Sequence, residues 1–326
     1  MYYYAPMAYT CSVLGASGFS GGEVLSYLQR HPGLAAVALG AARSAGAEVA
    51  SLHPHLTGTA PERFGTVSEA AATPADLCIS CLPSGVLDPS TVAADRIVDL
   101  SDGFRADAEW TYGLTEYARP ELRGATRVAN PGCYPTATLL ALLPFAHAGL
   151  VEGPVSVDAL SGVSGAGRAP ADHLSLASLH GSSAAYGTTE HRHVGEMERS
   201  LLAYGGLDTY VSFTPHLAPM ARGLLVTARA SLASDLEPEA ALEVLRSAYE
   251  EEPFVTVVEG WPTTKAVAGS NRALVTARVD ARARFLIAHA VIDNLGKGAA
   301  GQAIQNANLM LGMEERTGLD GVGLWP

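Results

Sequence analysis

Cys133 lies in the run Ala129-Asn130-Pro131-Gly132-Cys133-Tyr134-Pro135-Thr136. Pro131 and Gly132 turn the chain just before the cysteine. Pro135 suits the first turn of a helix, where a missing N–H costs nothing. An apolar helical stretch, Thr136 to Leu143, follows. The thiol is therefore expected at or just before a helix N-terminus, where unpaired N–H groups and the helix dipole favour a thiolate. A thiolate there is a nucleophile, and the same N–H groups can receive the oxyanion formed when it attacks a carbonyl. A cysteine that merely fills a core gap needs no such frame. The nucleophile is the expectation.

Three downstream segments supply partners. Leu160 to Arg168 reads as a strand end running into a glycine-rich loop with Ser161, Ser164, Gly165 and Arg168. Such a loop can hold a phosphate through backbone N–H groups, or can simply be a flexible hairpin. The run Tyr186 to Met197 contains His191-Arg192-His193 and Glu196. Two histidines two apart share a face if the segment is extended, which raises metal binding. No third ligand sits at a familiar spacing, and Arg192 adds a positive charge beside the pair. A histidine acting as general acid and base next to a cysteine accounts for the cluster more economically. His193 is the first choice and His191 the second. Arg222, just ahead of a strand over Leu224–Ala230, either clamps a carboxylate or phosphate or makes a plain surface pairing.

The first third must position a cofactor. Tyr9 to Leu14 is a short apolar strand, followed by Gly15-Ala16-Ser17-Gly18-Phe19-Ser20-Gly21-Gly22, a helix from about Glu23 to Arg30, and a second strand over Ala35 to Leu39. Strand, glycine loop, helix, strand is the βαβ context of a dinucleotide fingerprint. The spacing here is G-x-x-G-x-x-G. Glycines let a pyrophosphate approach the backbone, and the helix N-terminus presents a positive dipole end. After the second strand, Arg43 and Ser44 stand where an NAD site usually places an acidic residue, and no carboxylate follows until Glu48. A cation and a hydroxyl suit a 2′-phosphate, so NADP is the expected cofactor. Further strands over Leu77–Leu82 and Ile97–Leu100 end in turns, Pro83 and Ser84 in the first, at the strand C-terminal ends where such folds bind ligands.

Composition frames these segments. With 326 residues, 48% hydrophobic and 17% charged, the chain reads as globular and long enough for two domains. The net charge of −12 argues against a nucleic-acid partner. No apolar run reaches membrane-spanning length and no signal segment opens the chain, so no membrane role is expected. Met1 to Met7 reads as a disordered lead-in. Four cysteines in so long a chain make no disulfide framework, which points to a reducing cytoplasm. Cys78 and Cys81 lie on one apolar strand, and residues three apart point to opposite faces, so packing is preferred over a redox pair. An amphipathic helix is predicted over Leu236 to Glu250, strands over Phe254–Val258 and Ala273–Val279, and a small-residue helix from about Gly298 to Leu311. The expected class is α/β: a Rossmann-type parallel-sheet NADP domain, 1–130 with 296–326, plus an α+β catalytic and dimerisation domain, 131–295.

With these segments in view, the chain resembles the N-acetyl-gamma-glutamyl-phosphate reductases of arginine biosynthesis, over nearly its full length from Gly15 to about Leu311. The resemblance rests on Gly15–Gly22, Val128–Thr136, Ser161–Arg168, His191-Arg192-His193 with Glu196, Phe213-Thr214-Pro215-His216 through Arg222-Gly223, and Asp293-Asn294-Leu295-Gly296-Lys297-Gly298. One departure is Asp102-Gly103, where that family commonly has Ala-Asp. The resemblance implies NADPH-dependent reduction of a small acyl phosphate to a semialdehyde through a Cys133 thioester, by a homodimer or homotetramer without a metal. It places Gly15 to Gly21, Arg43, Ser44, Pro83, Ser84, Gly165 and Asn294 around the cofactor. Asn130, Ser161, Arg168, Glu196 and Arg222 are placed around the substrate. A carrier-linked aminoadipyl-phosphate reductase, an aspartate-semialdehyde dehydrogenase and a nonenzymatic NADP-binding sensor switched at Cys133 are the competing readings.

Overall fold

The computed structural model describes residues 9–59 and 61–325. The Met1–Met7 lead-in lies outside the described residues. The chain divides into two units, one running to Gly132 and taking in Ala299–Asp320, the other comprising Cys133–Gly298 and the tail from Gly321. That tail was expected with the first unit. Its Leu324 N–H instead donates to the Ala268 carbonyl at 2.8 Å, within the second.

The first unit begins with β1 (Tyr9–Leu14), α1 (Phe19–Leu28) and β2 (Leu34–Ala41), and continues through α2 (Val49–Leu52), β3 (Gly65–Thr66), α3 (Val67–Ala72), β4 (Ala75–Ser80), β5 (Ala94–Asp99), β6 (Thr111–Tyr112), α4 (Thr115–Leu122) and β7 (Arg127–Ala129). All strand pairs are parallel, in the order β3-β2-β1-β4-β5-β7-β6. The chain steps outward from β1 to β3, then returns to lay β4 on the other side of β1. That reversal is the topological switch point of a doubly wound sheet, and ligands bind at the strand carboxyl ends there. The glycine loop follows β1 and the Pro83-Ser84 turn follows β4, so both leave the sheet at that point. Helix α1 starts at Phe19, four residues ahead of the expected Glu23, with Gly18 as its cap. Gly21 and Gly22 are therefore helical. Their low helix propensity is overridden by packing, since a β-carbon at Gly21 would stand 2.6 Å from the Gly15 carbonyl oxygen.

In the second unit, α5 (Cys133–His147) is followed by β8 (Val151–Ser161), α6 (Leu176–Leu179), β9 (Ala184–Ala185), α7 (Val194–Gly205), β10 (Val211–Leu217), β11 (Leu224–Leu232), α8 (Pro238–Tyr249), β12 (Val255–Val257), β13 (Ala273–Asp280) and β14 (Phe285–Ile292). The mixed sheet runs β12-β13-β14-β11-β8-β10-β9, antiparallel through its centre with β10 parallel to β8. Along β11, Leu224, Val226, Ala228, Ala230 and Leu232 are buried and the residues between them are half-exposed, the alternation of a sheet with one covered face. Helix α5 lies against that covered face. Every residue from Tyr134 to Ala146 is buried, which explains a helix that is apolar all round. Pro144 lacks the N–H that would bond the Leu140 carbonyl four residues back. The Tyr249 hydroxyl donates to that carbonyl instead, at 2.7 Å.

After a π-helical turn at Gly296–Ala300, α9 (Gly301–Met310) completes the first unit. It starts three residues later than expected. Its buried Asn306 donates to the Gly113 carbonyl at 2.9 Å and to Asn130 Oδ1 at 3.1 Å.

Candidate active site

Cys133 is the first residue of α5 and is half-buried. It stands on a rigid, fully packed fifteen-residue helix rather than on a loop. Gly298 makes room for it: a β-carbon there would lie 2.7 Å from Cys133 Cβ. The other three cysteines are free thiols as well. Burial pushes Cys78 up to about 11 and raises Cys11 and Cys81 further from ionisation. Cys81 falls just past the end of β4, which stops at Ser80.

Aromatic side chains gather around the next residue. The Tyr134 ring meets Phe213 at 5.0 Å between centroids, His191 at 5.5 Å and His193 at 5.9 Å, all edge-on. Its hydroxyl shares a 2.7 Å hydrogen bond with the Tyr186 hydroxyl. Burial raises both phenols, with the charge of Cys133 a further cause for each, so the two tyrosines surround the cysteine as neutral hydroxyls. Tyr134, Tyr186 and Phe213 lie in segments noted from sequence, where none of them was given a role of its own.

The histidine segment is not extended. It is a turn that enters α7, with His193 as the N-cap in a right-handed helical conformation. The rings nonetheless stand 4.7 Å apart. The turn brings this about locally, since the His193 N–H donates to His191 Nδ1 at 3.2 Å. With Nδ1 accepting, a neutral His191 carries its proton on Nε2. Burial and then the Arg192 charge lower the His191 pKa, which favours that neutral form. His193 is buried, 5% exposed, whereas His191 is open to a cavity.

That cavity has a volume of about 940 Å³, and Ser161, Tyr186, His191 and Arg192 line it. Gly165, expected at the cofactor, lines it too. Arg192 is the cation at its wall, while Arg168 is exposed and does not line it. The loop after Ser161 is tied to the segment before β11, with Val163 N–H donating to the Met220 carbonyl at 2.9 Å and Ser164 N–H to that of Ala221 at 3.2 Å. Arg222 pairs through Nε with Asp293 at 2.9 Å. Asp293 is fully buried and also accepts backbone N–H groups from Gly269, Leu295 and Gly296. It anchors the arginine as part of a built network, which a surface pairing would not do. Asn294 donates to Ser164 Oγ at 2.9 Å and accepts from Gly223 N–H at 2.8 Å.

Asn130 and Glu196, both expected around the substrate, are buried. The Asn130 side chain is 1% exposed, donates to the Ala299 carbonyl at 3.2 Å and accepts from Asn306, so its amide fixes the chain ahead of the cysteine turn. Glu196 is 3% exposed, in the first turn of α7. Sequence spacing cannot distinguish a polar side chain that faces a ligand from one that braces the backbone nearby.

In the first unit, Gly15 has φ +75° and no room for a side chain, a β-carbon there standing 2.6 Å from the Cys81 carbonyl oxygen. Gly18 caps α1 without a side chain. This glycine-walled loop ahead of a ten-residue helix fits a pyrophosphate. Arg43 is exposed and Ser44 half-exposed in the turn after β2, while the nearby Glu48 is held by Arg63 at 2.8 Å. Pro83 and Ser84 are exposed beyond β4. These residues fit NADP.

Two semialdehyde dehydrogenase family models match the chain, the NAD binding domain over residues 10–125 and the dimerisation domain over 133–294. An N-acetyl-gamma-glutamyl-phosphate reductase of Frankia casuarinae is 42% identical, with 98% of this chain and all of the relative covered. The protein of the same name from Salinispora tropica is 43% identical over 98% of this chain and 100% of its own. The chain belongs to the N-acetyl-gamma-glutamyl-phosphate reductase family. Among solved structures, aspartate semialdehyde dehydrogenase II of Vibrio cholerae complexed with ASA matches with a TM-score of 0.74 at 18% identity, over 93% of this chain and 98% of that one. The Candida albicans aspartate semialdehyde dehydrogenase with NADP gives 0.68 at 17%, over 93% and 98%. At such identity those two show the shared two-domain fold alone. In this chain the doubly wound parallel sheet belongs to the first unit, and the mixed sheet with the cysteine-bearing helix α5 to the second.

Proposed function

We propose that this chain reduces N-acetyl-glutamyl 5-phosphate to N-acetyl-glutamate 5-semialdehyde and inorganic phosphate, using NADPH and a thioester on Cys133. The observation that carries this reading is Cys133 at the head of a buried helix, with His191 and His193 both packed on the adjoining Tyr134 ring. The Cys133 thiolate attacks the acyl carbonyl, a C–S bond forms, and the bond to the phosphate oxygen breaks as phosphate leaves. The helix macrodipole favours negative charge at the position of that sulfur. When bound, NADPH supplies a hydride to the thioester carbon. His193 delivers a proton to the resulting oxygen, giving a thiohemiacetal, then takes it back as the C–S bond breaks and the thiolate returns. Splitting one difficult substitution into two steps is what covalent catalysis contributes.

His191 serves the substrate rather than the proton. Its Nδ1 is engaged by the backbone, and its Nε2–H is left as a donor at the cavity wall. Arg192 and Ser161 offer that cavity a cation and a hydroxyl for the substrate's anionic groups. Arg222, held by Asp293, is a second anion clamp. In the first unit the glycine loop from Gly15 to Gly21 takes the cofactor pyrophosphate and Arg43 with Ser44 takes the 2′-phosphate, which favours NADPH over NADH. The half-exposed face of the mixed sheet, with Leu225, Thr227, Arg229 and Ile287, supports pairing of two copies into a homodimer or a tetramer of such pairs. Among the described residues no helix is long and apolar enough to cross a membrane, and with four free thiols the cytoplasm is the proposed compartment.

Run in reverse, the reaction is the direct test: N-acetyl-glutamate 5-semialdehyde should drive NADP reduction only when phosphate is present. Reduction with aspartate semialdehyde and none with the acetylated substrate would overturn the assignment.

A further inference from the structure

We propose that His53 is a positioning residue for the cofactor, clamping the Ala16 peptide so that the glycine loop presents its N–H groups to the pyrophosphate. The inference rests on the cofactor reading given above. His53 lies outside every motif considered so far. It terminates α2, is 3% exposed, and its Nε2 is 2.9 Å from the Ala16 carbonyl oxygen. A carbonyl only accepts, so Nε2 carries the proton.

Ala16 is thereby held on both sides. Its N–H donates to the Gly40 carbonyl at 2.9 Å and its own carbonyl is taken by His53. A trans peptide is planar, with its C=O and the following N–H directed oppositely. Pulling the Ala16 carbonyl inward toward His53 therefore turns the Ser17 N–H the other way. Ala16 is fully buried and Ser17 half-exposed, so that direction is outward from the core. A loop that binds an anion through backbone amides needs this orientation fixed before the ligand arrives.

The imidazole is itself wedged in place. A β-carbon at Gly22 would stand 2.3 Å from the ring, and the Phe64 ring meets it edge-on at 6.1 Å. Gly22 is thus glycine for the sake of His53, whereas Gly15 is glycine for its own backbone. The short segment after β2 accordingly serves the cofactor twice, through Arg43 and Ser44 at one end and His53 at the other.

Dissociation constants for NADPH and NADH, read by fluorescence titration of the purified protein, test this. His53→Ala should weaken both cofactors by a similar factor, about three- to tenfold for one net hydrogen bond, because the pyrophosphate is common to them. The KM for N-acetyl-glutamate 5-semialdehyde and kcat at saturating cofactor should stay near wild type. His53→Gln, whose amide nitrogen reaches as far as Nε2, should restore affinity, and His53→Asn, which ends at the Nδ1 position, should not. Gly22→Ala should weaken binding in the wild type, yet add little to His53→Ala, where the ring it displaces is gone. Full affinity in a folded His53→Ala protein, equal behaviour of Gln and Asn, or strict additivity with Gly22→Ala would each overturn the inference. Failure of the wild type to bind either nucleotide would instead overturn the cofactor reading itself.

Discussion

The glycine loop of the first unit and the side chains beside Cys133 in the second are both proposed to meet anions, and they are built by opposite means. Around Gly15 the surface is backbone, and its key feature is the absence of side chains, since β-carbons at Gly15 or Gly21 would collide with carbonyl groups. Beside Cys133 the surface is side chain: the Tyr134 ring meets His191, His193 and Phe213, and its hydroxyl bonds that of Tyr186. The loop fixes directions through peptide planes. The pocket fixes protonation, with neutral phenols and a His191 whose acceptor nitrogen is already engaged. Recognition of a pyrophosphate common to many cofactors can rest on backbone N–H groups. Chemistry on one substrate needs groups that titrate.

The contrast predicts that damage to the pocket acts on turnover and damage to the loop acts on affinity. The largest effect belongs to Cys133→Ser, which should abolish reduction while leaving the NADPH dissociation constant unchanged. Iodoacetamide at neutral pH should correspondingly label Cys133 before Cys11, Cys78 and Cys81, whose burial opposes ionisation. Peptide mapping that found Cys78 or Cys81 alkylated first would place the reactive thiol in the wrong unit.

Next is the division of labour between the histidines. His193→Asn should lower kcat by roughly 10²–10⁴, the span of a lost general acid and base, with KM little changed. His191→Asn should act mainly on KM, since His191 lines the cavity and its Nδ1 is already engaged. Steady-state kinetics showing the reverse pattern would exchange their roles.

A smaller effect is expected in the first unit. Arg43→Ala should cost NADPH about tenfold or more in affinity, as a charge-assisted contact is worth about 1.5–3 kcal/mol, and leave NADH unaffected. Equal affinity of the wild-type protein for the two nucleotides would contradict the 2′-phosphate assignment.

The loop was readable in the sequence because its physics is local. Strand, glycines and helix follow one another, and the order β1, loop, α1 emerges as spaced, with only the helix start displaced from Glu23 to Phe19. Cys133 was readable for the same reason, since Pro131, Gly132 and Pro135 act within one turn. The pocket was readable only as a set of members. Nothing in the spacing shows Tyr134 meeting Tyr186 across fifty-two positions, or Asp293 holding Arg222, because β8, β10 and the β14 end are brought together by sheet topology. The bonds of Asn130 to Ala299 and Asn306 and the burial of Glu196 were hidden too, because a polar residue beside a motif looks alike whether it faces solvent or core.

The smallest effect concerns pH and the packing of the first unit. Burial is the main cause lowering the His31 pKa from 6.5, against its bonds to Asn308 and the Thr317 backbone. A depressed histidine favours folding while neutral, so its contribution is complete above pH 6.5 and is lost as pH falls through the lower folded value. Nδ1 of His31 accepts the Gly33 N–H at 3.1 Å, a bond that protonation removes. Between about pH 8 and pH 5.5 the wild type should therefore lose more in Tm than His31→Gln. Parallel melting profiles would assign the acid sensitivity elsewhere.

The central claim is a covalent acyl group on Cys133, and a burst experiment reaches it most directly. With N-acetyl-glutamate 5-semialdehyde and NADP but no phosphate, the thioester should form and wait. Rapid mixing should then show one equivalent of NADPH per active subunit, followed by a near-flat phase that phosphate restarts, with the acyl mass on the Cys133 peptide. Steady NADPH production without phosphate or arsenate, or a burst that survives in Cys133→Ser, would contradict the account.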